Sequence, residues 1–172
     1  MIRKATINDS SQLQKMFTQA YQTTYHELLP HTMIQEDIQN FYNQERIIKD
    51  IEPALPAWSG YLVAEEAGQI VGAIGGGLLN SEECEVFVLY LNPEKKKRKG
   101  YGSALLAELT EIFLNFGAKK QWVSVTKDNQ MGIPFYEKQG FIFQHERPAY
   151  THEKSNRTSL RCLRMLTRKK AR

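Results

Sequence analysis

Glu85-Val86-Phe87-Val88-Leu89-Tyr90-Leu91-Asn92-Pro93-Glu94-Lys95-Lys96-Lys97-Arg98-Lys99-Gly100-Tyr101-Gly102-Ser103-Ala104-Leu105-Leu106-Ala107 reads as a strand, a basic loop, a glycine turn and the start of a helix. Val86 to Leu91 is an unbroken apolar run with β-branched and aromatic residues, which suits a buried strand. Asn92-Pro93 stops it, because proline lacks the N–H that a strand interior needs. Five cations, Lys95 to Lys99, follow in a row. Gly100 and Gly102 permit backbone angles closed to other residues and let the main chain approach a ligand. From Ser103 the pattern turns helical, with Leu105, Leu109, Ile112 and Phe116 at spacings of four, three and four.

The physics of this arrangement is anion binding. N–H groups at a helix start, the positive end of the helix dipole and nearby cations all favour a phosphate or pyrophosphate. The dipole contributes roughly 0.3–1 kcal/mol at an exposed site, so loop amides and cations must supply most of the grip. A dinucleotide fingerprint would place a third glycine where Leu105 stands. A nucleotide-triphosphate loop would close on Gly-Lys-Ser/Thr, which is absent. A coenzyme A pyrophosphate site is the third reading.

At this point the stretch resembles the GNAT superfamily of acyl-CoA-dependent N-acyltransferases, whose pattern is Gln/Arg-x-x-Gly-x-Gly/Ala after a central strand. The chain has Lys97-Arg98-Lys99-Gly100-Tyr101-Gly102, with Lys97 where Gln or Arg is usual and an arm one residue longer than common. A second motif, Asn129-x-x-Gly132-x-x-x-Tyr136-x-x-x-Gly140-Phe141, resembles the same family's Asn, Ala/Gly, Phe-Tyr, Gly-Phe series. Read alone, this segment is a helix with an aromatic core residue and a glycine cap.

The resemblance implies a mixed, mostly antiparallel sheet flanked by helices on both faces, in one domain over residues 1–172. The element order agrees: a strand at Ile2–Thr6, helices beginning after Asn8 or Asp9, and a hairpin of Tyr61–Glu66 and Ile70–Ile74. After the organising strand and helix come Gln121–Val125, a short helix at Met131–Gln139, Phe141–Phe143 and Leu160–Leu166, the last pair across a polar turn at His152–Thr158. Gly75-Gly76-Gly77 marks either a bulge with close backbone approach or a ligand contact.

The resemblance further implies acetyl-CoA as co-substrate and a small amine, loosely as in bacterial polyamine acetyltransferases, as acceptor. Its pyrophosphate would lie on residues 97–103: Lys97, Arg98, Lys99, Gly100, Tyr101, Gly102 and Ser103. A backbone amide within Leu89-Tyr90-Leu91 would meet the oxyanion. Asn129 would bond the pantetheine or a neighbouring backbone, and Tyr136 would sit at the thioester sulfur. The chemistry sets the remaining roles. An amine with pKa near 10.4 lies about 3.4 units from its free base at pH 7, a cost of about 4.6 kcal/mol. A proton must therefore be removed, and the departing thiolate must receive one. Tyr136, which the resemblance places at the sulfur, is the expected general acid. Glu85 is either the base or a solvated strand-end carboxylate. Tyr25, His26 and His31 stand where the family covers the acceptor pocket, and a lone histidine there is more often a structural residue.

Composition bounds the rest. With 172 residues, 41% hydrophobic and 24% charged, the chain suits a soluble domain with a sizeable core. No run approaches the ~20 apolar residues of a membrane span, and Met1-Ile2-Arg3-Lys4 does not open a signal peptide, so a cytoplasmic location is expected. Cys84 and Cys162 fall in no disulfide framework, zinc spacing or nucleophile motif, so direct transfer and no metal are expected. Cations also gather in the tail, from Arg161 to Arg172. The alternative is a non-catalytic module that senses acyl-CoA or binds nucleic acid through the 95–99 loop; nucleic acid ranks low, since those cations have a local use beside the glycines. A homodimer through the final strand is compatible with the sequence, which carries no specific signal for it.

Overall fold

The computed structural model describes residues 1–95, 99–148 and 158–168. Strand β1 (Ile2–Lys4) is followed by three helices, α1 (Ser10–Tyr25), α2 (His31–Phe41) and α3 (Gln44–Ile51). Then come β2 (Leu62–Glu66), β3 (Gln69–Leu78), β4 (Glu83–Leu91), α4 (Tyr101–Asn115) and β5 (Lys120–Thr126). The short helix α5 (Gly132–Lys138), β6 (Ile142–Pro148) and β7 (Thr158–Met165) complete the order. All seven strands form one sheet, β1-β2-β3-β4-β5-β7-β6. Among the described residues only β4 and β5 pair in parallel, because α4 forms the crossover between them. The mixed, mostly antiparallel sheet with helices on both faces agrees with the sequence reading.

The apolar residues of α4 and α5 cover one face. Leu105, Leu106, Leu109 and Phe113 pack there with Val86, Val123 and Val125. The other face carries α1 and α3, with Leu13, Phe17, Ile47 and Ile51 against Val63 and Ala73. Strand β4 changes phase midway. Gly75 pairs with Val88 and Gly76 with Val86, leaving Phe87 as a bulge. Cys84, Val86, Leu89 and Leu91 therefore all point to the α4 face, and Val88 and Tyr90 to the α1 face.

Several expectations are corrected. The organising strand begins at Glu83, three residues earlier than read, so Glu85 lies inside it. Strand β6 runs on to Pro148. Asp9 stands at the N-cap of α1 without a capping side-chain bond. Its carboxylate instead takes both Arg3 Nη groups at 2.8 and 2.9 Å, and that pairing holds its pKa below the ordinary carboxylate value. Residues 152–157 of the expected polar turn lie outside the described residues.

The triple glycine is a close backbone approach. The loop before β2 docks on it, with Ser59 N–H donating to the Gly76 carbonyl and Leu78 N–H to that of Pro56, each at 2.8 Å. A Cβ on Gly77 would sit 1.9 Å from the Ala57 carbonyl oxygen, and one on Gly76 2.3 Å from that of Glu85. Neither obstacle is a side chain that can swing away. Gly77→Ala is expected to cost about 2–3 kcal/mol, read as a lowered urea midpoint; an unchanged midpoint would mean that the loop moves freely.

Candidate active site

The site begins with a gap in the sheet. β4 and β5 pair from Glu83–Lys120 to Val86–Val123 and then part. β4 runs on to Leu91 against β3 alone, and β5 to Thr126 against β7 alone. Asn92 N–H donates to Val71 of β3 at 2.7 Å. Strand alternation then turns the N–H and C=O groups of Leu89 and Leu91 away from β3 and into the gap. Tyr90 has the opposite phase, and its ring belongs to an aromatic cluster with Phe17, Tyr21 and Tyr42. Of the three expected backbone donors, Leu89 and Leu91 thus face the gap.

At the end of β4 the glycine turn enters α4. Gly100 has φ 71°, a left-handed value that glycine takes without strain. The N–H groups of Tyr101, Gly102 and Ser103 lie in the first turn of α4, which has no intrahelical acceptors. Gly102 is needed for contact as well, since a Cβ there would meet the Phe135 ring at 3.2 Å and Leu91 at 3.6 Å. The side chains of this turn look elsewhere. Lys99 pairs with Glu66 at 2.9 Å, the Tyr101 hydroxyl donates to the same carboxylate, and Ser103 accepts from Gln139, just after α5, at 2.9 Å. Lys99 thus rests on Glu66 at a half-exposed position, and the first-turn N–H groups are the donors of this turn without intrahelical partners. Lys97 and Arg98 lie outside the described residues.

Across the gap, α5 supplies Tyr136. Its ring packs between Phe135 and Phe141, at 5.1 and 5.4 Å. Burial, with a smaller contribution from Tyr25, pushes its hydroxyl pKa well up, so the group stays protonated. Asn129 stands in the loop just before this helix, its Oδ1 accepting from Gly132 N–H at 2.9 Å and Met131 N–H at 3.2 Å. Of the two roles expected for Asn129, this is the bond to neighbouring backbone. It also accounts for Gly132, where a Cβ would lie 2.7 Å from the Asn129 amide.

The opposite face of the gap is polar. Glu85 is not a solvated strand-end residue: it is buried and ion-paired with Arg161 of β7. The Arg161 guanidinium lies over the Trp122 ring at 4.8 Å and donates to Ser124 Oγ at 3.2 Å. Arg147 of β6 donates to the same oxygen at 2.8 Å. Tyr25 reaches this edge, its hydroxyl 3.2 Å from Thr126 Oγ1. His26 does not join it: His26 is exposed, with Nδ1 3.0 Å from the Thr23 carbonyl and Nε2 3.6 Å from Glu27. His31 is exposed at the start of α2.

Arg161, Arg147, Ser124 and Trp122 escaped the sequence reading. Leu160 to Leu166 reads as a strand in the sequence, but only the register, Ser124 opposite Arg161, brings them to the gap. The Cys84 thiol is buried and its pKa is pushed up to about 12, which makes it a poor nucleophile. Among the described residues no cluster of His, Cys, Asp and Glu could hold a metal ion, and no helix is long and apolar enough to cross a membrane.

The geometry thus offers an extended ligand a strand edge to pair with, an anion site at one end and a protonated tyrosine beside the gap. Comparison with known proteins agrees. The acetyltransferase (GNAT) family model matches residues 15–141. YuaI of Bacillus subtilis, an uncharacterised N-acetyltransferase, is 29% identical over 140 residues, covering 79% of this chain and 76% of that protein. Spermidine N(1)-acetyltransferase of Thermoplasma acidophilum is 27% identical over 141 residues, covering 81% and 86%. The crystal structure of the PaiA N-acetyltransferase of Thermoplasma acidophilum, in complex with coenzyme A, superposes with TM-score 0.77 at 23% identity, over 94% of this chain and 96% of that one.

Proposed function

The chain belongs to the acetyltransferase (GNAT) family, and on that premise we propose that it transfers an acetyl group from acetyl-CoA to the primary amine of a small molecule or peptide. The observation that carries the reading is the parting of β4 from β5 after Val86 and Val123. Pantetheine pairs with the open edge at Leu89 and Leu91. The pyrophosphate lies on the amides of Tyr101, Gly102 and Ser103. The thioester then lies between Tyr136 on the α5 side and the polar face at Glu85. The whole chain is treated as one domain acting in the cytoplasm, and every group named lies in one chain.

The amine nitrogen attacks the thioester carbonyl carbon directly. A C–N bond forms and the carbonyl electrons move onto oxygen, where a β4 backbone N–H stabilises the charge. The C–S bond then breaks and the sulfur takes the proton of the Tyr136 hydroxyl. The acceptor enters as an ammonium and loses two protons. One leaves through Glu85, directly or by water, to solvent, and the other restores Tyr136. The products are the amide and free coenzyme A.

The test is calorimetric titration of the purified protein with acetyl-CoA, with desulfo-CoA and ATP as comparators. Both coenzyme A forms are expected to bind and ATP not. Gly102→Val, which drives a branched side chain into the Phe135 ring, is expected to weaken binding tenfold or more. Absence of acetyl-CoA binding by a folded protein would remove the transferase reading, and the basic loop would then need another partner.

A further inference from the structure

We propose that the amine acceptor also carries a carboxylate within a few bonds of its nitrogen, and that Arg147, with Ser124, binds it beside the Arg161–Glu85 pair. The inference rests on the transferase reading above and names its acceptor class: an amino acid or a close homologue, not a polycation.

The starting observation is one residue out of place. Strand β6 is the edge of the sheet, and from Ile142 to Pro148 every residue is exposed except Arg147, which is half-buried. Its side chain turns back over the sheet to Ser124 Oγ, at 2.8 Å from Nη2. Arg161 Nη1 reaches that same oxygen at 3.2 Å. Two guanidinium groups thus converge on one neutral hydroxyl. Like charges so close repel unless an anion lies between or beside them.

The carboxylates nearby are already placed. Glu85 is ion-paired with Arg161. Glu83 accepts from Asn80 Nδ2 at 2.6 Å and from Trp122 Nε1 at 3.0 Å. Glu146 pairs with Lys127 at 2.9 Å. Among the described residues Arg147 forms no ion pair with a carboxylate, and its nearest polar partner is the neutral Ser124 hydroxyl. A guanidinium has five N–H donors in a planar fork, and a carboxylate fits such a fork with two parallel bonds.

The position fixes the spacing. Val123 is the last β5 residue paired to β4, so Ser124 is the first residue on the β5 side of the gap. An anion held there lies beside the place where the amine must attack, which requires a short link between the two groups. A polyamine finds less here. Of the acidic residues on α2 and the turn before it, Glu27 and Glu36 are exposed, and Asp37 is buried and takes the Tyr21 hydroxyl.

The experiment compares amino acids with their decarboxylated twins: lysine with cadaverine, ornithine with putrescine, and phenylalanine with phenethylamine. Release of coenzyme A is followed at saturating acetyl-CoA. The carboxylated member is expected to have the higher kcat/KM, by tenfold or more, in at least one pair. Arg147→Gln is expected to reduce that ratio at least tenfold, mainly through KM, and Arg147→Lys to restore part of it. Titration of both variants with acetyl-CoA reports that the fold and cofactor cleft are intact. The proposal is overturned if acetyl-CoA binds but no carboxylated member outruns its twin, or if Arg147→Gln leaves the ratio unchanged. Failure to bind acetyl-CoA is a different result: it removes the transferase reading, and this inference falls with it.

Discussion

Tyr136→Phe is expected to lower kcat about 100-fold or more while leaving acetyl-CoA affinity nearly unchanged. The size follows from the role, because a positioned general acid contributes roughly 10²–10⁴-fold. The selectivity follows from the geometry. What holds the side chain is its ring, wedged between Phe135 and Phe141, and phenylalanine keeps that ring. Only the hydroxyl proton is lost, and it is needed only as sulfur leaves. The pH profile adds a sign. A general acid works while protonated, and burial holds the Tyr136 pKa above its ordinary value. The wild-type rate should therefore rise with pH as the acceptor becomes a free amine, and should not fall again below about pH 10, the reference tyrosine value. Steady-state kinetics beside calorimetry read both quantities. A variant that keeps the wild-type kcat would transfer the general-acid role to water.

What the sequence disclosed and what it hid divide along a physical line. The strand, glycine turn and helix around residues 86–116 were legible because their determinants are local: an apolar run, a proline stop, two glycines and a helical period. The short helix that carries Tyr136 was legible for the same reason, whereas the role expected of Tyr136 came only through the family resemblance. Features set by register were not legible. Lys99 and Tyr101 both turn to Glu66, more than 30 residues away in the chain, and no spacing announces that a β2 carboxylate meets them. The Phe87 bulge was hidden too, because Val86 to Leu91 reads as an even apolar run. Yet the bulge decides which of these residues face α4 and which face α1. The polar wall of Trp122, Ser124, Arg147 and Arg161 needs three strands laid side by side before it exists at all. The same holds for Glu85, whose role could not be chosen without its partner.

Arg161→Leu is expected to destabilise the protein by about 3–5 kcal/mol, the cost of breaking a buried ion pair by removing one partner. Both side chains are about nine-tenths buried, at 10% and 9% exposure. Removal leaves the Glu85 carboxylate in a poorly solvated site without its counter-charge. The contact of the guanidinium with the Trp122 ring, at 4.8 Å, is lost as well. Equilibrium urea unfolding reads the effect as a lower midpoint. The double variant Arg161→Leu with Glu85→Leu should regain most of the loss, because replacing a whole buried pair by apolar groups is often close to neutral. A double variant as unstable as the single one would mean that the guanidinium stabilises through Trp122 and Ser124, and not through Glu85. The same double variant separates the two roles open to Glu85. It restores the fold but removes the carboxylate that the proposed mechanism uses as proton acceptor. If it folds, binds acetyl-CoA and still acetylates amines at the wild-type rate, Glu85 is a structural counter-ion and the ammonium proton leaves by another route. If it folds and binds acetyl-CoA but turnover falls 100-fold or more across the neutral range, the loss belongs to the chemistry and not to the fold. Such a deficit should shrink as the pH approaches the pKa of the acceptor amine, because a free amine no longer has to lose its first proton inside the site.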